Sequence, residues 1–286
     1  MTIALGSRYP WRSFSRILPP GTFMRESVIL MSDSRICRKE SNGYVKDSDV
    51  GAKVFVLNED TAAAYAGTCR VGELCIESIR TKLPSRSEQI LSSIWGIAQK
   101  TFHETYTTNI RLSPAEAPLY ILIGTCNKQG QSQLFHFSYY DNFTPEEVTG
   151  LKIVAWPETK DQFENLLNNE VEKRLGGANW YRRSRQHEPE VPPASWLPVI
   201  EFEAEKATML MTAMLKSVID SASDETIGGM VQCILINSKG LSFPGISYSE
   251  DPGKQMADWY RVTAEPHELK TITPISGVLG SYSIIR

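Results

Sequence analysis

Several short stretches of this chain are apolar along nearly their whole length instead of at alternate positions: residues 28–32 (VILMS), 52–57 (AKVFVL), 62–66 (AAAYA), 119–124 (LYILIG) and 230–236 (MVQCILI). An antiparallel strand with one wet face alternates in character, so continuous apolar strands demand cover on both faces. That requirement rules out an open, half-solvated sheet. It calls for sheets buried against each other or beneath helices.

The order of the remaining signals supplies the cover. Residues 2–6 (TIALG) and 28–32 read as paired strands joined by a Pro/Arg-rich excursion over 9–27. Residues 52–57 and 62–66 read as a second pair around the tight turn Asn58-Glu59-Asp60. In VGELCIESIRTKL, Val71, Leu74, Cys75 and Ile79 recur at helical spacing, and SEQILSSIWGIAQKTFHETY continues as a second helix with Ser87 and Glu88 favourable at its start. Strands follow at 119–124 and 133–139 around NKQG, then a strand at 151–155 and a helix over 160–175. After a polar loop come a helix over 200–221 and strands at 230–236 and 241–247 around NSKG, with an irregular tail from Asp251. Segregated blocks of strands and helices indicate an α+β fold, with two antiparallel sheets stacked between helix pairs. The expected organisation is a single domain over 1–286, with a hairpin insertion at 9–27, a loop at 176–196 and an irregular C-terminal extension at 251–286.

Composition excludes several classes of function. A net charge of -3 gives no electrostatic footprint for nucleic acid or a membrane surface, and no apolar run approaches the length of a membrane span. The aromatic and basic groups Trp11/Arg12/Arg16 and Trp180/Tyr181/Arg182/Arg183 read as solvated loop or subunit-contact residues. Five cysteines without a C-x-x-C pair read as reduced, mostly buried thiols, and the four scattered histidines show no metal spacing. Residues 1–25 hold four arginines and no acid, as a transit peptide would, but TIALG is strand-like and Pro10, Pro19 and Pro20 break any helix.

One pattern points to chemistry. Thr2 directly follows Met1 and opens a strand. A threonine hydroxyl is a weak nucleophile that needs a base, and removal of Met1 would place a free α-amine on the same residue. That amine has a pKa of roughly 7.7–8.0, suited to accepting the hydroxyl proton and returning it.

The segments TIALG, VILMSDSR, GAKVFVL, AAAYAGT and DETIGGMVQCILINSKG resemble, in order, those of the proteasome β-subunit family of N-terminal nucleophile hydrolases, which includes the HslV-type and Anbu-type peptidases. The resemblance implies a four-layer αββα sandwich acting as a threonine peptidase. It implies Thr2 as nucleophile, with Lys53 favouring the deprotonated hydroxyl and Asp33 orienting Lys53. It implies the Gly67 N–H at the oxyanion, Tyr65 and Cys69 at the substrate side-chain pocket, and Asp224 supporting the terminal amine. No metal or cofactor is implied. The implied partners are a peptide or unfolded-protein substrate, copies of the chain in a homo-oligomeric ring or stack, and an unfolding ATPase, in the cytoplasm.

The sequence departs from the family at two places. Ile227 stands where a serine is usual, and IVAWPE (153–158) replaces a Gly-Ser-Gly turn, so two hydroxyls near the nucleophile are missing. These losses keep open an alternative, a catalytically inactive assembly subunit of a proteasome-like complex. Gly21-Thr22 offers a competing processing site, but cleavage there would discard the strand at 2–6 and leave too little chain for a hairpin before Asp33.

Overall fold

The structure is a computed structural model that describes residues 3–9, 26–41, 43–49, 51–83, 93–109, 117–155, 159–166, 196–245, 275–277 and 280–284. In chain order its elements are β1 (Ala4–Tyr9), β2 (Ser27–Asp33), β3 (Ile36–Glu40), β4 (Gly43–Ser48), β5 (Val54–Asn58), β6 (Thr61–Gly67), α1 (Cys69–Arg80) and α2 (Ser93–Asn109). They continue with β7 (Leu119–Cys126), β8 (Ser132–Ser138), β9 (Glu146–Glu147), β10 (Leu151–Val154), α3 (159–166), α4 (Trp196–Ser221), β11 (Val231–Asn237) and β12 (Gly240–Gly245). A last hairpin comprises β13 (Ile275–Gly277) and β14 (Gly280–Ile284).

The continuously apolar segments are strands buried on both sides. β2 is buried at every residue, and β6 at all but Gly67. One sheet has the order β10-β1-β2-β11-β12-β14-β13 and the other β5-β6-β7-β8-β9, with every paired strand antiparallel. Alternate residues decide what each face meets. Ala4, Val28, Leu30, Ile234 and Ile236 of the larger sheet join the core of the smaller one. Gly6 and Gly124 let the sheets approach: a Cβ on Gly124 would stand 2.5 Å from Val28 Cγ1, and one on Gly6 would stand 3.0 Å from Leu134.

Helices cover the outer faces. Tyr65 leans on Gly72 of α1, where a Cβ would come within 2.7 Å of its ring. Trp95 of α2 stacks on Phe135 at 3.8 Å between centroids, and Phe102 meets Phe137 edge-on at 5.2 Å. On the larger sheet, Ile3, Leu5, Ile29, Met31, Cys233 and Leu235 pack with Phe163 of α3 and with Met211, Leu215 and Val218 of α4. Full burial of each such side chain is worth about 1.5–3 kcal/mol. No helix among the described residues is long and apolar enough to cross a membrane.

Some boundaries differ from the sequence reading for local reasons. β1 runs on to Tyr9, because Ser7, Arg8 and Tyr9 find partners at Ile29, Val28 and Ser27. α4 starts earlier than residue 200 and takes in Pro198, which the first turn of a helix tolerates because its N–H would go unused there. The β3–β4 hairpin was not anticipated, and the extension expected to be irregular contains β13 and β14, which add to the edge of β12. Most of the 9–27 insertion, the 176–195 segment and the end of the predicted 160–175 helix lie outside the described residues.

Candidate functional site

β2 ends on Asp33, a carboxylate with no solvent exposure at the end of a wholly buried strand. Three groups donate to it. The Ile3 N–H donates to Oδ1 at 3.2 Å, Lys53 Nζ donates to the same oxygen at 3.0 Å, and the Gly228 N–H donates to Oδ2 at 3.2 Å. The chain at Ile3 is held twice more, its carbonyl accepting from Ser32 Oγ at 2.8 Å and from the Asp33 N–H at 3.3 Å. Lys53, also wholly buried, sits just before β5 and donates in addition to the Arg35 carbonyl. Burial pushes the Asp33 carboxyl up, against the opposing pull of Lys53 and of the Gly228 and Ile3 amides. The geometry is therefore a dry ion pair with the leading strand of the chain bound to it.

Behind the pair lies a polar scaffold for which the sequence reading had no role. Arg35 Nε pairs with Asp49 Oδ1 at 2.6 Å, and its Nη1 donates to the carbonyls of Ile227 and Glu225 at 3.0 and 3.2 Å. The Arg35 N–H donates to the Gly228 carbonyl at 3.1 Å. A Cβ on Gly228 would fall 2.1 Å from the guanidinium carbon of Arg35, so a side chain there would push Arg35 out of its present place. Gly229 has φ +77°, a left-handed backbone that glycine adopts freely. Ser34 Oγ accepts from the Met230 N–H at 2.7 Å and donates to the Asp49 carbonyl. Gln232 reaches from β11 to the chain entering β5. Two faint signals in the sequence mark this scaffold: the Ser-Arg that completes SDSR, and a lone glutamine inside an apolar strand.

Gly67 closes β6 with φ +114°, and a Cβ there would lie 2.0 Å from the Pro118 carbonyl oxygen, so the position requires glycine. Tyr65 is fully buried, with its hydroxyl donating to the Ala52 carbonyl at 3.2 Å. Its place is between β6 and α1. Cys69 opens α1, half-buried; burial pushes its thiol up, while the nearby Lys53 charge pulls the other way. Asp224 lies in the turn after α4, where its Oδ1 accepts from the Thr226 N–H at 2.8 Å and from Thr226 Oγ1 at 2.6 Å. Burial raises its carboxyl, but the Thr226 donors carry the balance below the usual range. The Asp224 carbonyl accepts from the Ile227 N–H at 3.1 Å, tying it to the loop that delivers Gly228 to Asp33. Ile227 itself is buried in the core beneath α4. Thr2 lies outside the described residues, as does Trp156.

A comparison with solved structures relates this fold to the proteasome-like class. The likeness is to a solved structure of Anbu (ancestral beta-subunit) from Yersinia bercovieri, which matches over 90% of both chains with a TM-score of 0.52 and 11% identity. At that identity the two share a fold, and only a fold. No family model matches the chain, and no curated protein matches it.

Proposed function

We propose that this chain is a threonine peptidase of the proteasome β type, a four-layer αββα sandwich whose nucleophile is Thr2 after removal of Met1. The observation that carries the reading is the buried Asp33–Lys53 pair at 3.0 Å with the Ile3 N–H on the same carboxylate oxygen. That N–H belongs to the peptide bond joining Thr2 to Ile3, so the residue proposed to react is the one bonded to the amide that Asp33 holds.

In this reading Lys53 favours the deprotonated hydroxyl of Thr2 by its charge and keeps the neighbouring α-amine neutral by like-charge repulsion. The Thr2 hydroxyl attacks the scissile carbonyl and its proton passes to the α-amine of the same residue. The Gly67 N–H stabilises the resulting oxyanion. Collapse breaks the C–N bond, the leaving amine takes the proton, and water then hydrolyses the Thr2 ester. Asp224 supports the terminal amine, and Cys69, with Tyr65 behind it, borders the substrate side chain. The substrate is a peptide or unfolded protein, and the working assembly a cytoplasmic homo-oligomeric ring or stack served by an unfolding ATPase.

The test is the intact mass of the purified protein before and after a β-lactone probe. Loss of Met1 followed by a single adduct on Thr2, absent from Thr2→Ala, is the expected result. Retained Met1, or equal hydrolysis of fluorogenic peptides by Thr2→Ala, overturns the reading. A second reading, an inactive assembly subunit of the same fold, is favoured by one observation: Ile227 puts a core aliphatic where the family usually has a hydroxyl. It predicts no adduct at all.

A further inference from the structure

Gln232 is the polar interruption in the apolar run of β11, and it is only 3% exposed. In register it lies opposite Ser32, one residue short of Asp33. Its carboxamide leaves the larger sheet and bonds the backbone that leads into β5 of the smaller one. Nε2 donates to the Gly51 carbonyl at 2.8 Å, while Oε1 accepts from the Lys53 N–H at 2.8 Å and the Val54 N–H at 3.2 Å.

Among the described residues β5 is an edge strand, paired with β6 alone. The Lys53 carbonyl accepts from the Tyr65 N–H of β6 at 3.0 Å, while the Lys53 N–H turns to Gln232. Left unpaired in a buried place, such groups would pull the chain towards another path. A single glutamine carboxamide, its oxygen accepting twice and its NH2 donating once, ties three such groups together in one rigid plane.

We infer that Gln232 is a positioning residue for Lys53: it fixes the backbone from which the lysine side chain departs, so that Nζ meets Asp33 Oδ1 and the Arg35 carbonyl. The Lys53 ammonium is thereby held from both ends. Its head is set by Asp33 and Arg35, and its root by Gln232. The catalytic consequence rests on the peptidase reading above; the placement of Lys53 does not.

The test compares wild type with Gln232→Met, which keeps the volume and removes all three hydrogen bonds. Leu235→Ala, a buried neighbour on the α4 side of β11, serves as a control for general destabilisation. Each folded protein is briefly treated with acetic anhydride, and acetylation is read at Lys53 by peptide mass spectrometry against the exposed Lys46 and Lys100. In Gln232→Met, labelling of Lys53 should rise about tenfold or more over wild type, while Leu235→Ala leaves Lys53 protected at an equal or greater loss of Tm. Lys53 staying protected in Gln232→Met, or labelling equally in Leu235→Ala, overturns the inference. Beside it, β-lactone inactivation should show a fall in the maximal rate at unchanged half-saturation. A wild type that never reacts with the lactone defeats the peptidase reading alone, since the acetylation result still decides the role of Gln232.

Discussion

At the scale of single residues, the Asp33–Lys53 pair is strong in one sense only. Desolvating two charges cancels much of their attraction, yet removing one partner strands the other in a dry site. Lys53→Ala should therefore lose about 3–5 kcal/mol in urea unfolding, and the double variant Asp33→Asn/Lys53→Met should lose less than the single one. His136 offers a second test. Its Nδ1 meets Glu146 Oε2 at 2.9 Å, its ring stacks on Tyr120, and Lys152 shares the same carboxylate at 2.7 Å. Burial pulls the imidazole below its usual value, more than Glu146 raises it. The unfolded chain then binds the proton more readily, so stability should hold above the unfolded pKa of about 6.5 and fall as pH drops below it. His136→Phe should flatten that slope in denaturation midpoints taken from pH 7.5 to 5; an unchanged slope would remove His136 as its cause.

At the scale of elements, the two sheets meet without room for a side chain where Gly124 faces Val28 and Ile236. Gly124→Val should cost about 1–3 kcal/mol by overpacking, and Val28→Ala in the same chain should restore part of it. Thermal melts of the two singles and the double would read this directly, and strictly additive losses would argue against contact. These strands were legible because an unbroken apolar run has few other uses. Asp33 and Lys53 were singled out through the family resemblance and not by any local pattern; the structure brings them together at 3.0 Å. The bond from the Gly228 N–H to Asp33 depends on a contact between distant parts of the chain that no local pattern announces. The β3–β4 hairpin escaped notice because ICRKE and YVKDS carry too little apolar patterning to mark strands. The hairpin of β13 and β14 pairs with β12, and a weak strand signal next to an open edge gives no local warning that the edge will recruit it.

At the scale of the whole molecule, the polar scaffold gathers at one end of the stacked sheets, where β2 ends and β5 begins. The proposed ring makes a plain demand on hydrodynamics. Sedimentation should show a species at a high multiple of 32.1 kDa, and a monomer persisting across micromolar concentrations would remove the ring from the proposal. What the chain shares with Anbu (ancestral beta-subunit) from Yersinia bercovieri is a fold; the 11% of identical residues says little about chemistry.

One oxygen of Asp33 serves two clients, the backbone at Ile3 and the ammonium of Lys53. A replacement that removes this oxygen releases both at once, so a genetic screen would score both defects as a single lesion. Suppressors of an Asp33 variant would have to re-anchor the leading strand and rehouse the cation in the same event. Such double repairs are rare, and revertants at position 33 itself should dominate any selection.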